Sequence, residues 1–143
     1  MALLKTCPRC GKLISYELNL CAECNKDKYK YDKTRDKYKV NFYHSKEWLH
    51  IVELVKNKYY QLDIYEYYIN NAIVYGNISH HIEELTDNKA RRLDITNLIY
   101  LTTENHNKIH ALYKKSKESK TATQQLLFNL IERWNIEYGK DNN

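Results

Sequence analysis

Apolar and polar positions along the chain alternate in two rhythms. Trp48, Ile51, Val52, Val55 and Tyr59 recur at spacings of three and four, which predicts an amphipathic helix with one stripe on a core. Ala72-Ile73-Val74-Tyr75 and the run from Ile78 to Ile82 are β-branched and aromatic, and Gly76-Asn77 separates them, which predicts a hairpin. His80 and His81 then fall near the end of the second strand, and as neighbours on a strand they aim at opposite faces. After Thr102-Thr103, an acid at the start (Glu104) and lysines at the end (Lys114, Lys115) mark another helix. A last stripe of Leu127, Leu130, Ile131 and Trp134 predicts a terminal helix from Gln124 to Tyr138, capped at Thr121 or Thr123 and joined to the body by the Ser- and Lys-rich residues 114–120. Leu13 to Tyr16 and Leu18 to Leu20 read as two short strands near the start. The sum is an α+β chain with a small sheet.

All four cysteines lie near the N-terminus, as Cys7-Pro8-Arg9-Cys10 and Cys21-Ala22-Glu23-Cys24. Two Cys-x-x-Cys knuckles with ten residues between them have the reach for a tetrahedral structural Zn2+, with Gly11 at the turn after the first. A redox dithiol needs only one such pair, and a disulfide set needs an oxidising compartment. A module of this size folds around its metal. The composition, 43% hydrophobic and 29% charged, suits one globular domain with a modest core and a small appendage. No apolar run approaches 18 residues and the first residues are too short for a leader, so no membrane partner and a cytoplasmic location are expected. A net charge of +5 leans toward a polyanion without requiring one. From Lys26 to Lys39, lysines and Arg35 interleave with Tyr29, Tyr31 and Tyr38; this reads as a basic linker, with an arm following a phosphate backbone as the other possibility. His44 and His50 have no partners at ligand spacing.

The densest chemistry runs from Ser79 to His110, which holds four of the six histidines. After the His80-His81 pair comes Asn97, sixteen residues past His81, then His106 nine residues later and His110 four beyond that. His106 and His110 share a helix face, and neutral imidazole is the commonest metal-binding side chain. Strand and helix can therefore bring His80, His106 and His110 around one divalent ion, leaving His81 as a base. A zincin protease is excluded, because position 107 is Asn where that motif needs Glu.

This ordered set resembles the active site of the His-Asn-His (HNH) endonucleases, a ββα-metal motif. Two flanking segments extend the likeness. Phe42-Tyr43-His44-Ser45-Lys46-Glu47-Trp48 is similar to the Phe-Tyr-x-Ser-x-x-Trp of many phage-type members, and Leu93-Asp94-Ile95-Thr96-Asn97-Leu98 is similar to the segment that carries their central Asn. On this resemblance residues 1–27 are a four-cysteine zinc ribbon, 28–40 a basic linker, 41–115 the nuclease domain with its ββα-metal core at about 70–115, and 116–143 a C-terminal helix. The implied activity is metal-dependent hydrolysis of DNA phosphodiester bonds by a phage-encoded enzyme, in the host cytoplasm, beside a packaging terminase and portal or in homing or restriction.

The implied roles are His81 as general base, His80, His106 and His110 as ligands of one catalytic ion, and Asn97 as the residue that holds the loop and the His81 backbone. His106 belongs to both the catalytic and the metal set. Relatives with Asp at the first ligand position usually use Mg2+; His80 there softens the site and admits Mn2+, Ni2+, Co2+ or Zn2+. Lys89, Arg91 and Arg92 in the loop after His81, with Lys108 on the helix, are candidate contacts to double-stranded DNA, against the plainer reading of an exposed charged loop. Many phage-type members carry a further pair of Cys-x-x-Cys halves. Here the places look like Ile64-Tyr65-Glu66-Tyr67 and Thr102-Thr103-Glu104-Asn105, so Tyr65, Tyr67, Tyr68 and Ile69 are expected to fill that space by packing. The alternative function is a non-catalytic nucleic-acid-binding adaptor with a zinc ribbon and a degenerate nuclease fold.

Overall fold

The computed structural model describes residues 3–26 and 36–139, which fall into two compact units, one before Phe42 and one from Phe42 onward. Most of the expected basic linker, including Lys28, Lys30, Lys33 and Arg35, lies outside the described residues.

In the first unit, β1 (Leu4–Thr6) pairs antiparallel with β2 (Leu13–Ser15), Lys5 opposite Ile14. The turn between them carries the first knuckle. Gly11 takes φ +81°, the left-handed conformation that a Cβ disfavours, and its N–H donates to the Cys7 carbonyl at 2.9 Å. Leu18 to Leu20 is not a strand; the partner of Leu13–Ser15 is the chain before the first knuckle. Two three-residue strands cannot bury a core of their own. Buried here are Ile14 and three of the cysteines.

The second unit begins in α1 (Lys37–Tyr43) and continues through α2 (Lys46–Lys58) and α3 (Ile64–Ile69). Strands β3 (Ile78–His81) and β4 (Leu98–Leu101) follow, then α4 (Thr103–Lys115) and α5 (Lys117–Tyr138). The expected hairpin is corrected. β3 pairs antiparallel with β4, His80 opposite Ile99 and His81 opposite Leu98, while residues 72–75 contribute only an isolated bridge from Tyr75 to Leu62. β4 is all apolar or aromatic and buried along its length, so it wins the pairing by what it hides from water. Gly76 is needed for a different reason than a hairpin turn. A Cβ there would sit 2.8 Å from the Tyr100 ring and 3.0 Å from the Leu101 carbonyl oxygen.

The core gathers Val55, Tyr59, Ile64, Ile82, Leu98, Ile99, Leu101, Ile109, Leu127 and Trp134. The terminal helix starts earlier than its apolar stripe suggests. Ser116 closes α4 and caps α5, its hydroxyl accepting from the Ser119 N–H at 3.0 Å, so the expected join is one residue wide. α5 packs along α4 and across α3, and its Trp134 ring NH donates to the Lys58 carbonyl at 3.1 Å.

The space between residues 64–67 and 102–105 is also corrected. Tyr67 and Tyr68 turn toward Trp134 on α5, and Ile69 is exposed. What joins the two segments is a polar clip around Asp63, which is fully buried. One carboxylate oxygen accepts from the Glu66 N–H (2.8 Å) and the other from the Thr102 N–H (2.7 Å) and the Asn105 amide (2.9 Å). The same Asn105 amide reaches Glu66 at 3.0 Å. A buried carboxylate that accepts three hydrogen bonds from neighbouring chain segments is a cross-link in its own right.

Candidate metal centre and general base

β3 places His80 and His81 on opposite faces, and the two faces build two different environments. On one side α4 presents His106 and His110, one turn apart. One nitrogen from each of His80, His106 and His110 lies within 4.8 Å of the others. The facing Nε2 atoms of His106 and His110 are 3.0 Å apart. Imidazole nitrogens about 2.0–2.1 Å from a shared ion lie roughly 3.0–3.4 Å apart at ordinary coordination angles. The three donors thus fit a single divalent ion. His80 is buried, and burial, with His106 and His110 as neighbours, holds its pKa well below the usual imidazole value. Burial and His110 push His106 down to about 4. Both therefore stand neutral, with lone pairs available, across the physiological range.

Outer contacts aim these imidazoles. The Glu84 carboxylate lies 3.6 Å from His110 Nδ1 and is itself held by Lys120 of α5 at 3.2 Å, so His110 turns Nε2 inward. Such carboxylate–imidazole pairs orient metal ligands and raise their basicity. Thr102 caps α4 by accepting from the Asn105 N–H at 3.1 Å, which sets the start of the helix and with it the phase of His106 and His110.

On the other face His81 sits in an aromatic cage. Trp48 stacks on its ring at 4.8 Å and 18°, and the Phe42 and Tyr43 centroids lie 5.8 and 6.2 Å away. The Phe-Tyr-x-Ser-x-x-Trp segment now has a physical content. Ser45 caps α2 by accepting from the Trp48 N–H at 3.2 Å, and that cap puts Trp48 in the first turn, against His81. Periodicity marks Trp48 as core, which it is, but nothing local in the sequence reveals that its partner is a histidine. The His81 Nε2 lies 2.9 Å from the Arg92 carbonyl oxygen. A carbonyl only accepts, so Nε2 carries the proton and Nδ1 the lone pair. Burial lowers the His81 pKa against the opposing pull of that carbonyl, leaving the ring neutral and able to take a proton.

Asn97 is fully buried and works as a two-way clip. Its side-chain oxygen accepts from the Glu83 N–H at 2.8 Å, and its amide donates to the Glu83 carbonyl at 3.0 Å. Its own carbonyl accepts from the Ile82 N–H at 2.9 Å. These bonds fasten the chain directly after His81 to the start of β4. Asp94, three residues before, caps the turn at Ile95–Asn97 through the Thr96 N–H.

The basic candidates have separate fates. Arg91 pairs with Glu83 and Asp94 and lies over the Phe128 ring, bracing the loop from within. Arg92 donates to the Lys89 carbonyl at 2.9 Å and remains at the surface. Lys108 lies over the Tyr65 ring at 5.4 Å.

In the first unit the sulfurs of Cys7, Cys10, Cys21 and Cys24 lie within 4.8 Å of one another, with no disulfide. Cys10 and Cys21 are 3.6 Å apart, close to the roughly 3.8 Å expected of two thiolates on one tetrahedral zinc. Backbone N–H groups of Cys21, Cys10 and Arg9 pull the Cys7 pKa down to about 6, favouring the thiolate that a metal requires. The four sulfurs could hold a zinc ion.

The fold and site define a ββα-metal protein with a second, cysteine-rich metal module. No protein-family model matches the sequence, and no curated protein matches it. Among solved structures, it is similar to the HNH endonuclease of the deep-sea thermophilic bacteriophage GVE2, determined with a manganese ion. The two are 30% identical over 64% of this chain and 94% of the phage chain, with a TM-score of 0.51. The chain belongs to the HNH endonuclease family.

Proposed function

We propose that this protein is a phage-type, metal-dependent DNA endonuclease that cleaves phosphodiester bonds at a single-metal site. The observation that carries the reading is the convergence of His80, His106 and His110 on one face of the strand whose other face presents His81. His80, His106 and His110 are the proposed ligands that would hold a divalent ion, which when bound would supply orientation of the scissile phosphate and neutralisation of charge on the leaving oxygen. His81 takes the proton of the attacking water at Nδ1, while the Arg92 carbonyl holds its Nε2 proton and the Trp48 stack holds the ring plane. Asn97 takes no proton; it fixes the loop that supplies the Arg92 carbonyl. Lys89, Arg92 and Lys108 are the proposed phosphate contacts, and Arg91 braces the loop bearing the first two. Cys7, Cys10, Cys21 and Cys24 are assigned a structural zinc.

An all-imidazole donor set is softer than one with a carboxylate, which moves the ion choice away from magnesium toward manganese, nickel, cobalt or zinc. Manganese accompanies the phage GVE2 enzyme. The deciding test is plasmid nicking with the zinc-loaded ribbon intact and each of these ions, or magnesium, supplied in turn. The expected result is cleavage with at least one ion, lost by at least two orders of magnitude in His81→Ala while metal binding persists. DNA binding without cleavage under every ion would replace the enzyme with a nucleic-acid-binding adaptor.

A further inference from the structure

Two hydrogen bonds decide which nitrogen of His80 faces a metal. The Tyr113 hydroxyl, buried three residues past His110 on α4, lies 2.7 Å from the Ile82 carbonyl oxygen and 3.2 Å from His80 Nε2. A phenol has one proton to give, and the closer partner is a carbonyl that can only accept. The hydroxyl proton therefore goes to Ile82, and toward His80 the oxygen offers a lone pair. His80 Nε2 must donate, which leaves Nδ1 as its bare nitrogen. The Ile82 carbonyl is in turn located from two sides. Gln124 of α5 donates to it at 3.0 Å, and the Ile82 N–H is held by the Asn97 carbonyl at 2.9 Å.

We propose that Tyr113 is a positioning residue of the metal centre: anchored on the Ile82 carbonyl, it fixes His80 as the Nε2–H tautomer and so selects Nδ1 as the metal donor. This rests on the proposed assignment of His80, His106 and His110 as ligands. The device completes a pattern in which α5 supports the ligands through intermediaries, with Lys120 steadying Glu84 behind His110 and Gln124 steadying Ile82 behind Tyr113 and His80. Without the phenol, His80 Nε2–H would lose its partner in a site buried from solvent, and the ring would gain freedom to exchange tautomers.

The test uses the full chain with its ribbon zinc in place and has two arms. In the metal-free wild type, nitrogen-15 NMR of the imidazoles should find His80 protonated at Nε2. Tyr113→Phe, which keeps the ring and removes only the oxygen, should then bind Mn2+ about 10- to 100-fold more weakly by calorimetry, the usual cost of removing an outer-shell partner. Tyr59→Phe is the control: it removes another buried phenol, bonded to the Leu98 carbonyl at 3.3 Å, and should leave Mn2+ affinity within about twofold. A wild-type His80 protonated at Nδ1, or a Tyr113→Phe protein that binds Mn2+ as well as wild type, overturns the proposal and leaves the ligand assignment standing. Wild-type protein that takes up no Mn2+ beyond what His106→Ala retains overturns the assignment and the proposal together. If Tyr113→Phe does not fold, the tautomer in wild type decides alone.

Discussion

At the scale of single residues, the imidazoles are oriented by what lies behind them. His81 owes its Nε2 proton to the Arg92 carbonyl, and His110 turns Nδ1 to Glu84. The same burial that keeps His80 and His106 neutral exposes the metal-free protein to acid. In the unfolded chain these histidines take protons near pH 6.5, whereas in the folded state His106 resists until about 4 and His80 is also held low. Their folded pKa values are depressed, so the unfolded state gains protons first as pH falls. Stability of the metal-free protein should be complete above about pH 6.5 and decline from there toward pH 4. Urea midpoints at pH 7 and pH 5 measure this; an unchanged midpoint contradicts it. Asn97 supplies a second residue-scale test. Asn97→Ala leaves the Glu83 N–H and carbonyl without their partner in a half-buried turn, at a cost of about 1–3 kcal/mol, and frees the loop that orients His81. Cleavage should fall while Mn2+ affinity stays near wild type, readable by nicking and calorimetry on the same preparation.

At the scale of elements, short-range and long-range signals separate cleanly. The spacing of Trp48, Ile51, Val52 and Val55 sufficed to locate α2, and Glu104 with Lys114 and Lys115 sufficed for α4, because helix periodicity and caps act within a few residues. The pairing of β3 was not readable that way. Residues 72–75 are as β-prone as β4, and only the tertiary core distinguishes them by burying every residue from Leu98 to Leu101. The Asp63 clip belongs to this scale too, since it ties the start of α3 to the start of α4. Asp63→Ala would remove the α3 cap and strand the Thr102 N–H and Asn105 amide. The expected loss is about 2–4 kcal/mol, seen as a lower urea midpoint. Asp63→Asn, which keeps one acceptor oxygen, should lose less.

At the scale of the whole molecule, two units meet the problem of small size in different ways. Among its described residues, the unit before Phe42 has four clustered cysteines and buries little apolar surface besides Ile14, so a metal held by the four sulfurs would supply its folding energy. The unit from Phe42 onward closes its core with Trp134 and Leu127 of α5 and joins residues 64–67 to 102–105 with carboxylate and amide groups. A strong chelator should therefore abolish the ordered signals of the ribbon while leaving the helical circular dichroism and tryptophan environment of the larger unit nearly intact. NMR of the ribbon residues and far-ultraviolet dichroism on one sample test this. Cooperative loss of both would show that the second unit leans on the first metal.

Among the described residues, no helix is long and apolar enough to cross a membrane. What the amino-acid sequence determined by itself is everything set by short reach. The spacing of the two cysteine knuckles, the one-turn separation of His106 and His110, the capped helices and the alternation that points His80 and His81 apart all follow from local backbone geometry. Tertiary structure alone decided what surrounds those groups. It chose β4 as the partner of β3, stacked Trp48 on His81, set Asp63 between two helix starts and brought Tyr113 to His80. Those contacts join residues tens of positions apart, and they form because burying apolar surface forces distant polar groups together, where each must find a partner.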